Sequence, residues 1–557
     1  MRLEMFFKKF DLFADAPNAI AKMRELVLEL AVQGRLLSQH NKDEPAAMQL
    51  ERIAAKRAGT ARTLRMKAGR SGASLTDETE THLPDGWAKS SLAELVTVLN
   101  GRAYAKDELL TTGTPVLRVG NLFTSNHWYH SDLDLESDKY CDKGDLIFAW
   151  SASFGPFIWP GPKVIYHYHI WKLELHSEAD MDKRYLYWFL QNKTQEIKRA
   201  GHGVSMPHMT KEKMERLEVI VPPLAEQKRI VAKVDELMAL CDRLEMQQQE
   251  RQSRHDALAR ASLSRFAEAP TPANLDFLFH DAYTIAPTDL RKSILTLAVQ
   301  GKLVPQDSSD GPASELLTSI AKDVTKAVRE RRMRNSKAIA SYEETLPFEL
   351  PNGWEWSQLG RITAAEDGAM CDGPFGSKLK TEHYIPTRGY AVVRLGNIGE
   401  GNFIWGKEGH ISRRHFESLA SNHTAPGDLL VAGLADPLVR CCEVPPDLGP
   451  AVNKSDCFRV RLHRRMDRSY VRHYLNSPIA KSFAAEENHG MTRERINLAN
   501  AKALPIPIPP HAEQRRIVAK VDQLMALVDQ LETRLAASHS TAEKLLRAVV
   551  AELTVEV

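Results

Sequence analysis

From Pro222 to Glu245 the chain reads PPLAEQKRIVAKVDELMALCDRLE, and from Pro509 to Glu532 it reads PPHAEQRRIVAKVDQLMALVDQLE. The two stretches differ at five of 24 positions, and each difference suits a helix surface or conserves size. An internal repeat is therefore certain before any fold is considered. A proline pair cannot continue a helix but can precede one. Glu226 and Glu513 then fall in a first helical turn, where a carboxylate suits the helix dipole. Apolar residues recur at Ile230, Val234, Leu237, Cys241 and Leu244, and again at Ile517, Val521, Leu524, Val528 and Leu531. Alternating steps of four and three are the heptad seam of a coiled coil. No proline or glycine interrupts Ala225 to Glu268 or Ala512 to Leu553, which predicts helices of roughly 65 Å. Two such helices in one chain are expected to pack seam on seam. The alternative is that each seam packs on its own globular neighbour.

Two further blocks repeat outward from these helices. AVQGRL at 31–36 returns as AVQGKL at 298–303, and LPDGW at 83–87 returns as LPNGW at 350–354. An amphipathic helix carrying Ile20, Met23, Val27 and Leu30 precedes Gly34, and the sequence predicts a left-handed cap at Gly34 and Gly301. A polar basic segment follows each cap, with Arg52, Lys56, Arg57, Arg62, Arg65, Lys67 and Arg70 in the first and Arg329, Arg331, Arg332, Arg334 and Lys337 in the second. Such segments suit either phosphate-binding arms or solvated linkers. Pro-Asp-Gly and Pro-Asn-Gly are turn chemistry, and each opens a glycine-rich region of short strands. Val116–Leu122 and Val392–Ile398 read as a strand entering a turn. KGDLI at 143–147 matches PGDLL at 426–430, and each region ends in a helix, a polar loop and a strand that leads into the proline pair.

The offsets separate frame from insert. Gly34 to Gly301 and Trp87 to Trp354 are both 267 residues, whereas Pro222 to Pro509 is 287, so the second globular region is 20 residues longer. A strict frame therefore carries two diverged inserts of ordinary domain size. The predicted fold class is α+β: two mixed α/β domains separated by two long helices packed on each other as a coiled coil, with a pseudo-two-fold internal repeat. The expected parts are a helical segment at 1–82, a first globular domain at 83–223 and the central long helix at 224–268. A repeat of the helical segment at 269–349, a second globular domain at 350–510 and the final long helix at 511–557 follow.

A chain of 557 residues with 26% charged and 43% hydrophobic residues has ordinary globular composition. The net charge of +2 means that any basic surface is local. Six cysteines without a CxxC pair suit reduced thiols rather than zinc ligation. The segment MRLEMFFKKFDLF lacks a signal-peptide core, and no apolar run approaches a membrane span. A cytoplasmic protein is expected.

No catalytic residues and no metal site emerge. Gly368 to Pro374 has two glycines of a phosphate loop but no lysine, no GxGxxG follows a strand, and the tetrapeptide of amino-methyltransferases is absent. His167 and His169 alternate on a probable strand without a third ligand and read as strand residues. DNA contact is better represented. Between Phe458 and Leu475 lie Arg459, Arg461, Arg464, Arg465, Arg468 and Arg472 against Asp467 alone. If 458–462 is a strand, Arg459 and Arg461 point away from Phe458, Val460 and Leu462, forming either a phosphate-facing patch or a solvated strand edge. The tight loop with Phe375, Ser377 and Lys378 suits close backbone approach. The loop with Ser205, Met206 and His208 aligns with that of Thr492, Arg493 and Arg495, and different polar side chains at one loop position are what two base readers would show. Lys211, Arg118 with Asn121, and Arg394 with Asn397 complete the candidate DNA contacts.

The LAVQGRL and LAVQGKL blocks, the LPDGW and LPNGW openings, the RVGN and RLGN turns, the GPFGSKL loop and the two proline-headed helices together resemble the specificity subunits of type I restriction–modification systems, over essentially the whole chain. The resemblance implies two target recognition domains that each read half of a split double-stranded DNA site. It implies that the two long helices form an antiparallel coiled coil that sets the spacer and docks two modification subunits, in the cytoplasm of a bacterium or archaeon. S-adenosylmethionine, ATP and Mg are then expected on partner subunits, which include two restriction subunits, and no cofactor on this chain. Recognition domains vary within the family, so the resemblance does not say which residues touch bases. A methyltransferase–recognition fusion, a coiled-coil scaffold without DNA affinity and the specificity subunit of a methylation-only system are the competing readings.

Overall fold

The computed structural model describes residues 16, 18–63, 83–151, 153–200, 209–280, 283–334, 339, 346–434, 437–486 and 495–554. The chain forms two compact units, one of residues 1–250 with 537–557 and the other of 251–536. Both long helices are present, as Leu224–Glu268 and His511–Thr554, within a residue of where the absence of proline and glycine places them.

Each unit repeats one architecture. In the first, Ala88–Ser91 pairs antiparallel with Glu218–Val221 as a two-stranded neck where the insert leaves and rejoins the frame. Beyond it stands an antiparallel sheet in the order Val96–Asn100, Ile170–Leu175, Leu146–Ser151, Ser153–Ile158. A second four-stranded sheet contains one parallel pair, Thr114–Leu117 beside Val164–Tyr166. The other unit has the same neck, Glu355–Gln358 with Pro505–Ile508, and the same two sheets, again with one parallel pair, Tyr390–Val393 beside Ala451–Asn453. The glycine of each KGDLI-like turn has positive φ, 92° at Gly144 and 87° at Gly427. The following aspartate accepts from the backbone three residues earlier, Asp145 from Asp142 at 2.8 Å and Asp428 from Ala425 at 2.9 Å.

The main bonds of the frame are repeated in both units. Gly34 and Gly301 have φ of 70° and 68°, the left-handed cap expected from sequence. A Cβ there would lie 2.7 Å from Pro84 and 2.4 Å from Pro351, so the LPxGW turn closes against a residue that has to be glycine. Trp87 Nε1 donates to Glu226 at 3.0 Å, and Trp354 Nε1 to Glu513 at 2.9 Å. Both carboxylates are buried, which is a role beyond complementing the helix dipole. Next in sequence, Gln227 accepts from the amide of Asp182 and Gln514 from that of Asp467. Tyr185 and Tyr470 donate to the carbonyls of Ile220 and Pro507 on the neck strands. Arg24 pairs with Asp242 and Glu245 as Arg291 pairs with Asp529 and Glu532.

The seams are buried, but not against each other. Ile230, Val234, Leu237 and Cys241 lie in the core of the first unit with Ile20, Met23, Val27 and Leu30, while Leu244 packs at its margin. Ile517, Val521, Leu524 and Val528 lie in the core of the second unit with Leu290 and Ile294, and Leu531 is marginal there. The expectation that seam faces seam is thus corrected: each covers its own amphipathic frame helix, Ala19–Val32 or Pro287–Val299. The physical reason is that a stripe at three-four spacing packs on whatever apolar face lies beside it, and here that face is the frame helix. Pairing of the long helices is antiparallel within each unit. Ala542 and Leu546, near the end of one, join the start of the other in the first core. Phe266, near the end of the central helix, joins the start of the final helix in the second.

Removing either indole donor leaves a buried carboxylate short of a partner, so Trp87→Phe should lower stability by about 1–3 kcal/mol, read as a shifted denaturant midpoint. Burial raises the carboxyls of Glu226 and Glu513 above their ordinary value of 4.5. The native state then holds these protons more tightly than the unfolded chain, so their contribution to stability falls as pH rises from 4.5 through the raised values. A Glu226→Gln, Glu513→Gln variant lacks this dependence. Its stability should rise relative to wild type between pH of about 4 and 7, as measured by urea unfolding at each pH.

Candidate nucleic-acid interface

The two RxGN turns are built alike. The Arg118 amide donates to Asn121 Oδ1 at 3.0 Å, and that of Arg394 to Asn397 Oδ1 at 2.9 Å. The Asn121 amide donates to the His127 carbonyl at 2.8 Å, and that of Asn397 to Ile404 at 2.9 Å and Glu408 at 3.0 Å. These asparagines clamp a loop onto a strand end, and Asn397 is fully buried, which corrects its reading as a DNA contact, whereas Asn121 is half-buried. Their arginines project: Arg118 is exposed over the Tyr129 ring at 5.1 Å, and Arg394, half-buried, lies over Tyr384 at 4.8 Å.

In the second unit the GPFGSKL loop is pinned from below. A Cβ on Gly373 would fall 2.0 Å from the Lys454 backbone, and Asp372 accepts from the amides of Gly373 and Asp456 at 2.7 and 2.8 Å. Asp456 in turn accepts from Arg495 Nε at 2.8 Å, and that guanidinium sits 6.0 Å from the centroid of the Phe375 ring. Phe375, Ser377, Lys378 and Arg495 thus occupy one exposed patch. Ser205, Met206, His208, Thr492 and Arg493 lie outside the described residues.

The arginine run divides. Arg459 is buried and donates to the carbonyls of His423 and Gly368. Arg461 forms a bidentate pair with Asp428, both contacts at 2.8 Å, and reaches Glu366 at 2.6 Å. The strand Cys457–Val460 is buried on both faces, so alternation does not bring Arg459 to the surface, and the phosphate-facing reading of Arg459 and Arg461 is corrected. Arg464 and Arg465 are exposed.

In the first unit Lys211 opens a short helix capped by Thr210 and lines a recess with Trp150, Tyr168 and Trp171. Trp150 and Trp171 stack at 5.4 Å, and His169 packs edge-on to Trp150 at 5.1 Å. Burial, aided by His169 and Arg118, pushes the His167 imidazole down to about 4, so it is neutral at physiological pH. The sequence reading passed over this aromatic group; its signal was the density of rings in YHYHIW at 166–171 with Trp150 on a neighbouring strand. Among the described residues no group of three or more His, Cys, Asp or Glu is placed to hold a metal ion, and no helix is long and apolar enough to cross a membrane.

Residues 84–251 and 454–538 match the family described as type I restriction modification DNA specificity domain. The chain is 27% identical over 562 residues to the type I restriction enzyme EcoAI specificity subunit of Escherichia coli, covering 94% of this chain and 91% of that one. Similarity to the specificity subunits of type I restriction–modification systems thus extends over nearly the whole chain. The EcoEI specificity subunit of Escherichia coli is 26% identical over 569 residues, with 96% and 93% covered. Among solved structures, the HsdS subunit from Thermoanaerobacter tengcongensis is similar at a TM-score of 0.41 and 17% identity, covering 86% of this chain and 99% of that one. A specificity subunit recognises DNA sequence, and its surface arginines are to be judged in that light.

Arg461 and Arg464 should therefore separate cleanly. Arg461→Met strands the buried Asp428 and should cost about 3 kcal/mol of stability, the low end for a broken buried pair because Arg461 is itself partly exposed. Arg464→Ala should leave the unfolding midpoint unchanged and lower the slope of log affinity against log salt by about 0.9.

Proposed function

We propose that this specificity subunit reads a two-part double-stranded DNA site, one part through residues 83–223 and the other through 350–510, and performs no chemistry itself. The observation that carries this reading is the contrast between a frame whose main bonds are repeated and inserts whose surfaces differ, a basic loop patch in one and an aromatic recess in the other. Two identical mounts for two unlike surfaces suit a bipartite target. Arg118, Lys211, Phe375, Ser377, Lys378, Arg394, Arg464, Arg465 and Arg495 are the DNA contacts on this reading, with Ser205, Met206, His208, Thr492 and Arg493 as loop candidates. Two modification subunits supply S-adenosylmethionine and methylate the site. Two restriction subunits supply ATP- and Mg-dependent cleavage, all in the cytoplasm. The long helices set the spacer between the two parts and dock the modification subunits.

Replacing residues 83–223 with the corresponding domain of a relative should change one half of the methylated site and leave the other unchanged in the methylome of a host that also expresses the modification subunit. A change in both halves would overturn independent reading. Matched four-residue insertions in the two long helices lengthen each by roughly 6 Å and should widen the spacer by one or two base pairs, each rising about 3.4 Å. An active variant that keeps the original spacer would show that partners, not these helices, fix it.

A further inference from the structure

The recess in the first unit is walled by Trp150, Tyr168 and Trp171, with Gly101 at its base and Met209 and Lys211 at its edge. Several of its polar groups are committed to the fold, and Asn100 also lines it. Trp150 Nε1 donates to the Tyr168 carbonyl at 2.9 Å, the Gly101 amide to Ile170 at 3.3 Å, and the hydroxyl of Thr210 accepts from the Lys213 amide at 3.3 Å. Its walls offer an occupant mainly aromatic carbon, with Tyr168 40% exposed. Lys211 lines it, and the His167 amide donates to the Leu117 carbonyl at 2.9 Å, which brings Arg118 beside the strand segment that carries Tyr168.

An apolar recess flanked by cations matches one feature of duplex DNA. Phosphates attract the cations, and the apolar group that base pairs present in the major groove is the C5-methyl of thymine. We propose that the recess of Trp150, Tyr168 and Lys211 is a thymine-reading site, in which the aromatic walls take the C5-methyl of one thymine in the half-site read by residues 83–223. This rests on the chain being a DNA-reading specificity subunit and adds the base and the atom that it reads.

Uracil tests it, because it pairs like thymine but lacks the methyl. The complex of this chain with its modification subunits is titrated with duplexes carrying its site, each with one thymine of that half-site replaced by uracil. One replacement should weaken binding about fourfold, the worth of one buried methyl group, with the others within about twofold. Tyr168→Ala, at an exposed position, should bind the thymine duplex as weakly as wild type binds the sensitive uracil duplex and should be indifferent to that replacement. Sequence-specific binding without a uracil penalty, a half-site lacking thymine on both strands, or a penalty that survives in Tyr168→Ala each overturns the recess assignment alone. Absence of any sequence-specific binding overturns the DNA reading as well.

Discussion

A tryptophan indole donating to a buried glutamate at the foot of each long helix is the bond on which the rest of the structure depends. Trp87 stands one residue before a neck strand and Glu226 two residues into the helix. Their contact joins the point where the insert begins to the point where the frame resumes. A carboxylate taken out of water holds only where donors meet it, so the pairing tolerates little slack. The adjoining glutamine fastens the insert's later helix by its first amides. With both ends of the insert secured this way, the sheets beyond the neck are free to carry any surface, and the two units use that freedom differently.

Local chemistry was legible and partnership was not. The long helices, the caps at Gly34 and Gly301 and the turn at LPxGW follow from periodicity and conformational preference, which a dozen residues specify by themselves. A stripe of apolar residues at three-four spacing states that something covers it and is silent about what. The seam of Ile230–Leu244 therefore looked like half of a coiled coil, when its cover is a frame helix some 200 residues earlier in the chain. Glu226 read as a dipole complement for the same reason, since its donor is 139 residues away.

The arginines make the point for the candidate site. Six within 458–475 suggest a positive face, yet Arg459 satisfies two carbonyls, Arg461 neutralises two carboxylates and Arg468 approaches Glu443 at 3.5 Å. Charge density along a sequence becomes surface potential only after internal pairing is subtracted. Conversely, the aromatic recess of the first unit looked like ordinary strand composition, because Trp150, Tyr168 and Trp171 meet only once the sheet pairs Leu146–Ser151 with Ile170–Leu175.

The path of the chain sets an order of events during synthesis. The core of the first unit holds Ala542 and Leu546 beside residues near the start of the chain, whereas the second unit is assembled from one continuous run, 251–536. A ribosome therefore synthesises every part of the second unit before the last piece of the first. The domain that begins first is completed last, and until the final helix arrives its central helix exposes the apolar face that Ala542 and Leu546 will cover. The nascent first unit is the one with an open core for a chaperone to shield.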